Sequence, residues 1–328
     1  MVVHRALTRL AQSRYKRRLR FALMRFLTIG LLSLLLLPTA LAAATRTVTA
    51  PAHVTALAFD GGRVAFASGR SARDCNRVQV WDPTTRGVTT FPRPTNCVAT
   101  STGSGISGVA IAGNRVLWVH FIGGNQREWT LWTATTSRPK PIRLRFVSRD
   151  VDDRPPLLVG NSSRLGDILP YALDDEVIAL GANGARRFTW TAPGRVVALS
   201  AGDGELAVAS GRTVTVLGAA GAVLRSETFP SDVQAVRLTR GTLVVHRGST
   251  LELRGQGGPR TWTLPRNARL DDAQGTSAYY VHAGQVIELR LDADNVRRTV
   301  GSGSHVRVDG ARVAFSNGRQ VLLRQRAR

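Results

Sequence analysis

After residue 50 the chain repeats one phrase seven times: a short apolar run, a turn rich in Gly and Asp, a second apolar run, another turn, and an alternating third run. Aligning the third run of each copy brings Val78, Trp129, Val177, Val214, Leu251, Val286 and Val321 into register, at spacings of 51, 48, 37, 37, 35 and 35 residues. The second run keeps step at Val64, Val116, Ile168, Leu206, Leu243, Ala278 and Val313. Two independent registers that agree to within a few residues argue for stacked copies of one supersecondary unit. A repeat of this length with strand-like content points to a β-propeller.

The 284 residues from 45 to 328 match an all-β, seven-bladed ring of four-stranded antiparallel blades, at about 40 residues per blade. Within the fourth copy the strands read 196–200, 206–209, 214–217 and 224–229, with glycine-rich turns at or near their ends. The seventh copy supplies only three strands, at 305–308, 313–316 and 321–324, while residues 46–50 are strand-like and unpaired. The economical arrangement has this N-terminal strand complete the last blade and close the ring, which removes open sheet edges.

Residues 1–44 hold eight basic residues and no acid, with an apolar stretch from Phe26 to Leu37 that ends at Pro38. Ala40-Leu41-Ala42 and Ala42-Ala43-Ala44 both supply the small-x-small pattern of a signal peptidase site, so the segment reads as a cleaved secretory signal. The alternative is an uncleaved membrane anchor over residues 26–44, although the apolar run is short against the about 20 residues of a span. A start at Met24 would leave an ordinary signal peptide. The expected location is secreted or extracytoplasmic, at the cell envelope, with membrane contact only through an uncleaved N-terminal segment.

Without residues 1–44 the chain keeps 37 Lys and Arg against 22 Asp and Glu, a net charge of +15. Such a surface favours anionic lipid, cell-wall polymer or nucleic acid by long-range attraction. The arginines are nevertheless scattered over all seven copies with no aromatic-interleaved cluster, and an exported protein does not meet nucleic acid. Nucleic acid is therefore not an expected partner.

Asp60-Gly61-Gly62-Arg63-Val64-Ala65-Phe66-Ala67-Ser68, followed by Val78-Gln79-Val80-Trp81-Asp82, resembles the repeat of bacterial TolB-like, WD40-like propellers. The pattern covers residues 45–328 but matches well only in the first copy, and the Gly-His and Trp-Asp signature of WD40 repeats is missing from the others. The resemblance implies a binding platform. The expected protein is a monomeric, non-catalytic module for a protein or cell-envelope component, with no cofactor. That implication rests on fold analogy, which does not fix function.

In a meander the A-to-B and C-to-D connections emerge on one face of the ring and the B-to-C and D-to-A connections on the other. The long segments 69–77 and 121–128 are read as B-to-C loops, and 92–105 and 148–156 as D-to-A loops, so all four fall on one face over blades 1 to 3. Loops on a rigid scaffold carry binding residues, which makes Arg70, Arg73, Asp74, Arg77, Phe121, Asn125, Arg127, Asp150, Asp152 and Asp153 the candidate contact set. Neutral drift in loop length is the alternative. Cys75 and Cys97, the only cysteines, belong to the same face and are expected to form a disulfide. Closing that loop would contribute about 3 kcal/mol in the chain-entropy model.

His53 and His305 begin innermost strands, and His120, His246 and His282 end second strands, which directs all five toward that same face. A metal-assisted lyase or hydrolase with a histidine-lined site at the channel mouth, drawing on His53, His282 and His305, is the rival reading. Against it, the two groups lie at different distances from the axis, and His246 and His282 fill a repeat position held elsewhere by Ala67, Ala209 and Ser316. No metal site is expected. Nucleophile elbows, Walker loops, HExxH motifs and paired catalytic carboxylates are also missing at usable spacing.

Overall fold

The computed structural model describes residues 45–69, 77–92, 103–150, 155–161, 167–255 and 257–326. Residues 1–44, and with them the expected signal or anchor, lie outside that set, as do Arg70, Arg73, Asp74, Cys75, Cys97, Asp152 and Asp153.

Each copy of the repeat folds as one antiparallel meander. A first strand, β1 (Arg46–Thr49), belongs to the last blade. Blade 1 consists of β2 (Val54–Asp60), β3 (Arg63–Ser68), β4 (Arg77–Asp82) and β5 (Gly87–Thr90), and blade 2 of β6 (Ser104–Ala112), β7 (Arg115–Ile122), β8 (Gln126–Thr135) and β9 (Arg138–Asp150). Blade 3 follows with β10 (Leu157–Val159), β11 (Ile168–Leu173), β12 (Glu176–Gly181) and β13 (Arg186–Thr191). Blade 4 takes β14 (Val196–Gly202), β15 (Glu205–Ser210), β16 (Thr213–Leu217) and β17 (Val223–Thr228). Blade 5 takes β18 (Ala235–Thr239), β19 (Thr242–Arg247), β20 (Thr250–Arg254) and β21 (Arg260–Thr263). Blade 6 is β22 (Arg269–Gln274), β23 (Ser277–His282), β24 (Gln285–Arg290) and β25 (Arg297–Ser302); β26 (His305–Asp309), β27 (Arg312–Asn317) and β28 (Gln320–Gln325) complete the seventh with β1. The result is an all-β, seven-bladed propeller. Every residue of the two sequence registers falls on the second or third strand of its blade.

Closure takes the expected form. β1 pairs antiparallel with β28 from Arg46↔Leu323 to Thr49↔Gln320, and the main chain of Ala50 donates to Arg319 O at 2.7 Å. Val54 N then donates to Gly318 O at 2.9 Å, which ties the entry of blade 1 to the turn between β27 and β28.

The packing explains why the strands read as apolar runs rather than as strict alternation. A strand inside the ring has a neighbouring blade on both faces, so successive side chains enter two different cores. On β3, Val64 and Phe66 pack toward blade 7 with Ala314 and Leu323, while Ala65 and Ala67 pack toward blade 2 with Trp118. Seven such clusters fill the seven junctions between consecutive blades, the last of them between blades 7 and 1. Tryptophans serve these junctions: Trp118 meets Phe91 of blade 1 at 5.5 Å between ring centroids, and Trp81, Trp129 and Trp262 are buried in three others.

Candidate functional site

The B-to-C and D-to-A face of blade 2 is raised by strand, not by loop. β7, β8 and β9 have eight, ten and thirteen residues, against three to seven in the strands of the other blades. Segment 121–128, expected to be a long loop, is a ladder continued through Phe121↔Trp129 and Ile122↔Glu128, with a connection of only Gly123, Gly124 and Asn125. Ser148 to Asp150 likewise belong to β9 and pair with Glu128, Arg127 and Gln126. The polar run Gln126, Arg127 and Glu128 disguised the β8 extension in the sequence, because nothing apolar marks it as strand.

Two candidate contact residues come together here. Phe121 stacks on buried Trp129 at 5.2 Å, and the Arg127 guanidinium lies 5.5 Å from the Phe121 ring and 5.8 Å from the Trp129 ring. Gly105 makes the arrangement possible, since a Cβ there would meet the Phe121 ring at 2.9 Å. Asn125 sits exposed in the turn, Asp150 ends β9 opposite Gln126, and Arg77 begins β4 opposite Ser68 on blade 1. β9 adds Arg138, Lys140, Arg143, Arg145 and Arg149 along one outer strand, with Ile142 61% and Phe146 49% exposed between them.

The five histidines lie on, or at the entry of, five different blades. His53 is exposed at the entry to β2 beside Gly318, and His282 ends β23 opposite Gln285, with its Nδ1 buried and without a hydrogen-bond partner. His305 begins β26 with its Nδ1 3.3 Å from the Arg269 guanidinium. Burial holds His120 and His246 below the usual imidazole pKa. Among the described residues no three His, Cys, Asp or Glu side chains converge as a metal set.

A cavity of about 390 Å³ opens instead at the opposite end of the channel, on the A-to-B turn face. Inner strands or their ends from six of the seven blades line it: Asp60, Asn161, Ser200, Thr239, Gln274 and Asp309 each come from a different blade. Its rim is built by a repeated device, in which a side chain at the end of one inner strand holds a turn amide of the next blade. Asp60 Oδ2 accepts from Gly113 N at 2.9 Å, Thr239 Oγ1 from Gly275 N at 2.9 Å, and Asp309 Oδ2 from Gly62 N at 2.9 Å. Blade 4 shifts the acceptor by one residue. Gly202 ends β14 because a Cβ there would lie 2.6 Å from Leu238 O, and Asp203 accepts from Arg240 N at 2.7 Å.

Below the rim, blades 5 to 7 carry a buried charge cluster. A bulge at Asp271 in β22 turns two consecutive carboxylates toward blade 7, where Val306 N donates to Asp271 Oδ2 at 3.0 Å and Val308 N to Asp272 Oδ2 at 2.7 Å. Arg269 pairs with Asp271 at 2.7 Å, Arg307 with Asp271 at 3.7 Å, and Arg237 with Asp272 at 3.8 Å. Burial alone would raise the Asp271 pKa, but the charges of Arg307 and Arg269 outweigh it and hold that carboxyl below the usual range. Asp272 goes the other way: burial dominates over Arg307 and Arg237, and its pKa is raised. Arg237 is lowered to about 10, first by burial and then by the charge of Arg307.

The sequence reading missed this end of the channel. Its signal was present in the Asp-Gly and Gly-Asp-Gly turns of blades 1, 4 and 7, which read as hairpin chemistry alone. Gly61 and Gly62 do have the positive φ of a tight hairpin, 57° and 81°, but the preceding Asp60 reaches across to a different blade.

No protein-family model and no curated protein matches the chain. Solved structures do. The chain is similar to Raptor of Chaetomium thermophilum, with a TM-score of 0.58 and 12% identity over 88% of this chain and 29% of that one. It is similar to the WD40 domain of Pan2 from Neurospora crassa, with a TM-score of 0.54 and 12% identity over 86% and 95%. BamB from Moraxella catarrhalis gives a TM-score of 0.51 and 14% identity over 83% and 85%. The chain spans less than a third of the length of Raptor, and at these identities the likeness shows the propeller fold alone.

Proposed function

We propose that the protein is an extracytoplasmic, non-catalytic binding module of the TolB-like kind, which holds an acidic protein partner of the cell envelope on the blade 2 sector of its B-to-C and D-to-A face. The observation that carries this reading is the lengthened β7–β8–β9 sheet, a rigid support that carries Phe121 and Arg127 on its blade 3 side and Arg143 and Phe146 on its blade 1 side. Arg143, Arg145 and Arg149 and two exposed large apolar side chains, Ile142 and Phe146, on one outer strand suit a partner with carboxylates around an apolar centre. The leader-like composition of residues 1–44 supports export. A histidine-based metal enzyme finds no matching support, because His305 faces Arg269 and the described donors do not converge.

Co-purification from envelope extracts tests the proposal. Wild-type protein is expected to retain an acidic partner that is lost from Arg127→Glu and from the Arg143→Glu, Phe146→Asp pair, and released as salt screens the contact. Equal retention by both variants, at unchanged melting temperature, refutes the placement.

A further inference from the structure

β9 is the edge of its sheet: among the described residues it pairs with β8 alone. At thirteen residues it is more than twice as long as the outer strands of the other six blades, which have four to six. An outer strand turns one row of main-chain N–H and C=O groups away from its sheet, and such a row is a template for another strand. The start of β9 is guarded. Pro139 and Pro141 carry no N–H, and a register shift leaves Leu144 without a partner residue on β8. From Arg145 to Asp150 neither device is present, and the ladder to β8 runs without a shift.

The direction of each main-chain group in this stretch follows from the strand beside it. Thr136 N donates to Asn114 O at 2.9 Å, on the β7 side of β8. The β7–β8 ladder keeps one register from Arg115↔Thr135 to Ile122↔Glu128, so the groups of Thr130 and Glu128 also face β7, and those of Leu131, Trp129 and Arg127 face β9. Their partners Arg145, Val147 and Arg149 are therefore turned inward, which leaves Phe146, Ser148 and Asp150 with N–H and C=O directed out of the sheet. Ser148 O takes the Arg149 guanidinium at 3.1 Å, a contact within the strand itself.

Charge sets the occupant. Residues 142–150 carry Arg143, Arg145 and Arg149 against the one carboxylate of Asp150, and Arg149 shares Asp174 of blade 3 at 3.0 Å. A second copy of the chain fits poorly, because antiparallel pairing of two β9 edges centred on Val147 sets Arg145 of each copy opposite Arg149 of the other, and like charges directly opposite are destabilising. An acidic strand fits, since its side chains alternate over the two faces of the enlarged sheet, with carboxylates beside the arginines and apolar groups beside the exposed Ile142 and Phe146. We infer that β9 takes up an extended acidic segment of the partner by strand addition, through the main-chain groups of Phe146, Ser148 and Asp150. The inference rests on blade 2 being the partner surface and adds how the partner is held.

A capped peptide that alternates Glu and Val over the length of residues 142–150, followed by fluorescence anisotropy against the full chain at low salt, tests it. The peptide is expected to bind, and its Lys-for-Glu version is not. Of two versions N-methylated at alternate residues, one blocks the amides that face β9 and should bind at least about tenfold more weakly, while the other keeps its affinity. Ser148→Pro should weaken binding about tenfold and Ser148→Ala less than about twofold, because the group at stake is the main-chain N–H. Hydrogen exchange on the unaltered chain gives a reading that needs no variant: the amides of Phe146, Ser148 and Asp150 should slow when the peptide binds, and those of Arg145, Val147 and Arg149 should not. No binding of the acidic peptide, equal binding of both N-methylated versions, or no slowing at those three amides overturns the inference. Self-association of the unaltered chain that Ser148→Pro abolishes assigns the edge to a second copy and overturns it as well. Loss of the envelope partner from the Arg143→Glu, Phe146→Asp pair but not from Ser148→Pro overturns strand addition alone and leaves the blade 2 surface standing, whereas loss from none of the blade 2 variants removes both.

Discussion

Asp309→Ala tests whether the rim of the ring is held by side chains reaching from blade to blade. Asp309 ends β26, is 4% exposed, and accepts from the main chain of Gly62 across a sequence separation of 247 residues. Arg312 stands 3.7 Å from the same carboxylate oxygen. Truncation removes a hydrogen bond to a charged group and strands a buried N–H at the junction where the last blade meets the first. Hydrogen bonds to charged groups contribute about 1.5–3 kcal/mol, and the orphaned donor places the loss in the upper half of that range. For a chain of this size about 1 kcal/mol lowers the melting temperature by about 2–4 °C, so a fall of about 4–10 °C is expected.

The comparison set gives the measurement its meaning. Asp60→Ala removes the equivalent bond to Gly113 N and should cost a similar amount, because Asp60 is 5% exposed. Asp203→Ala removes a bond of the same type at an exposed position, where water replaces the lost acceptor, and should cost less than about 1 kcal/mol. Asp309→Asn keeps an acceptor without the charge and should fall between wild type and alanine. Thermal melts by circular dichroism, with urea midpoints as a second measure, read all four. If Asp309→Ala and Asp60→Ala melt within about 2 °C of wild type, below one kcal/mol by the same conversion, the rim bonds do not hold the ring and the reasoning fails.

Three further outcomes are expected. Glu288, buried in β24, accepts from Ser277 at 2.9 Å and Tyr279 at 2.8 Å and pairs with Arg298 and Arg326; burial opposes its ionisation, but these partners outweigh it and its pKa is lowered. Its contribution is therefore complete above the ordinary carboxylate pKa and lost as pH falls through the lowered folded value, so the gap in urea midpoint between wild type and Glu288→Gln, about 2 kcal/mol at neutral pH, should close under acid. Asp271→Asn leaves Arg269 and Arg307 without their shared counter-charge and should cost about 3 kcal/mol at pH 7, whereas Asp272→Asn replaces a carboxyl whose ionisation burial already resists and should cost under about 1 kcal/mol; equal losses would contradict the opposite pKa shifts. A chain beginning at residue 51 lacks β1, exposes the edge of β28, and should appear by light scattering as larger species than the whole ring forms.

The fold was legible because a propeller writes its core into the sequence seven times. Val64-Ala65-Phe66-Ala67 and Leu206-Ala207-Val208-Ala209 alternate larger and smaller side chains, since each face of the strand meets a different neighbour across a fixed gap. Periodicity in burial is visible without coordinates. Strand length is not, because a strand can continue past the core on polar residues: Gln126, Arg127 and Glu128 pair in full with β9 although nothing apolar marks them as strand.

The candidate sites diverge for a related reason. Sequence reasoning ranks residues by chemical rarity, so five histidines drew attention to the face they share, yet their side chains stand apart or against arginine. The turn-face cavity is made from Asp, Asn, Gln and Thr, the commonest residues of turns, and its distinction is relational. Asp60 and Asp309 hold neighbouring blades, whereas Gln274, at the same position of its own blade, has an acceptor to spare. A repeat that uses one position for assembly in several blades and releases it in one breaks its own pattern without any change in spacing. Comparing equivalent positions around the ring, rather than searching for reactive residue types, therefore locates the exception in the repeat.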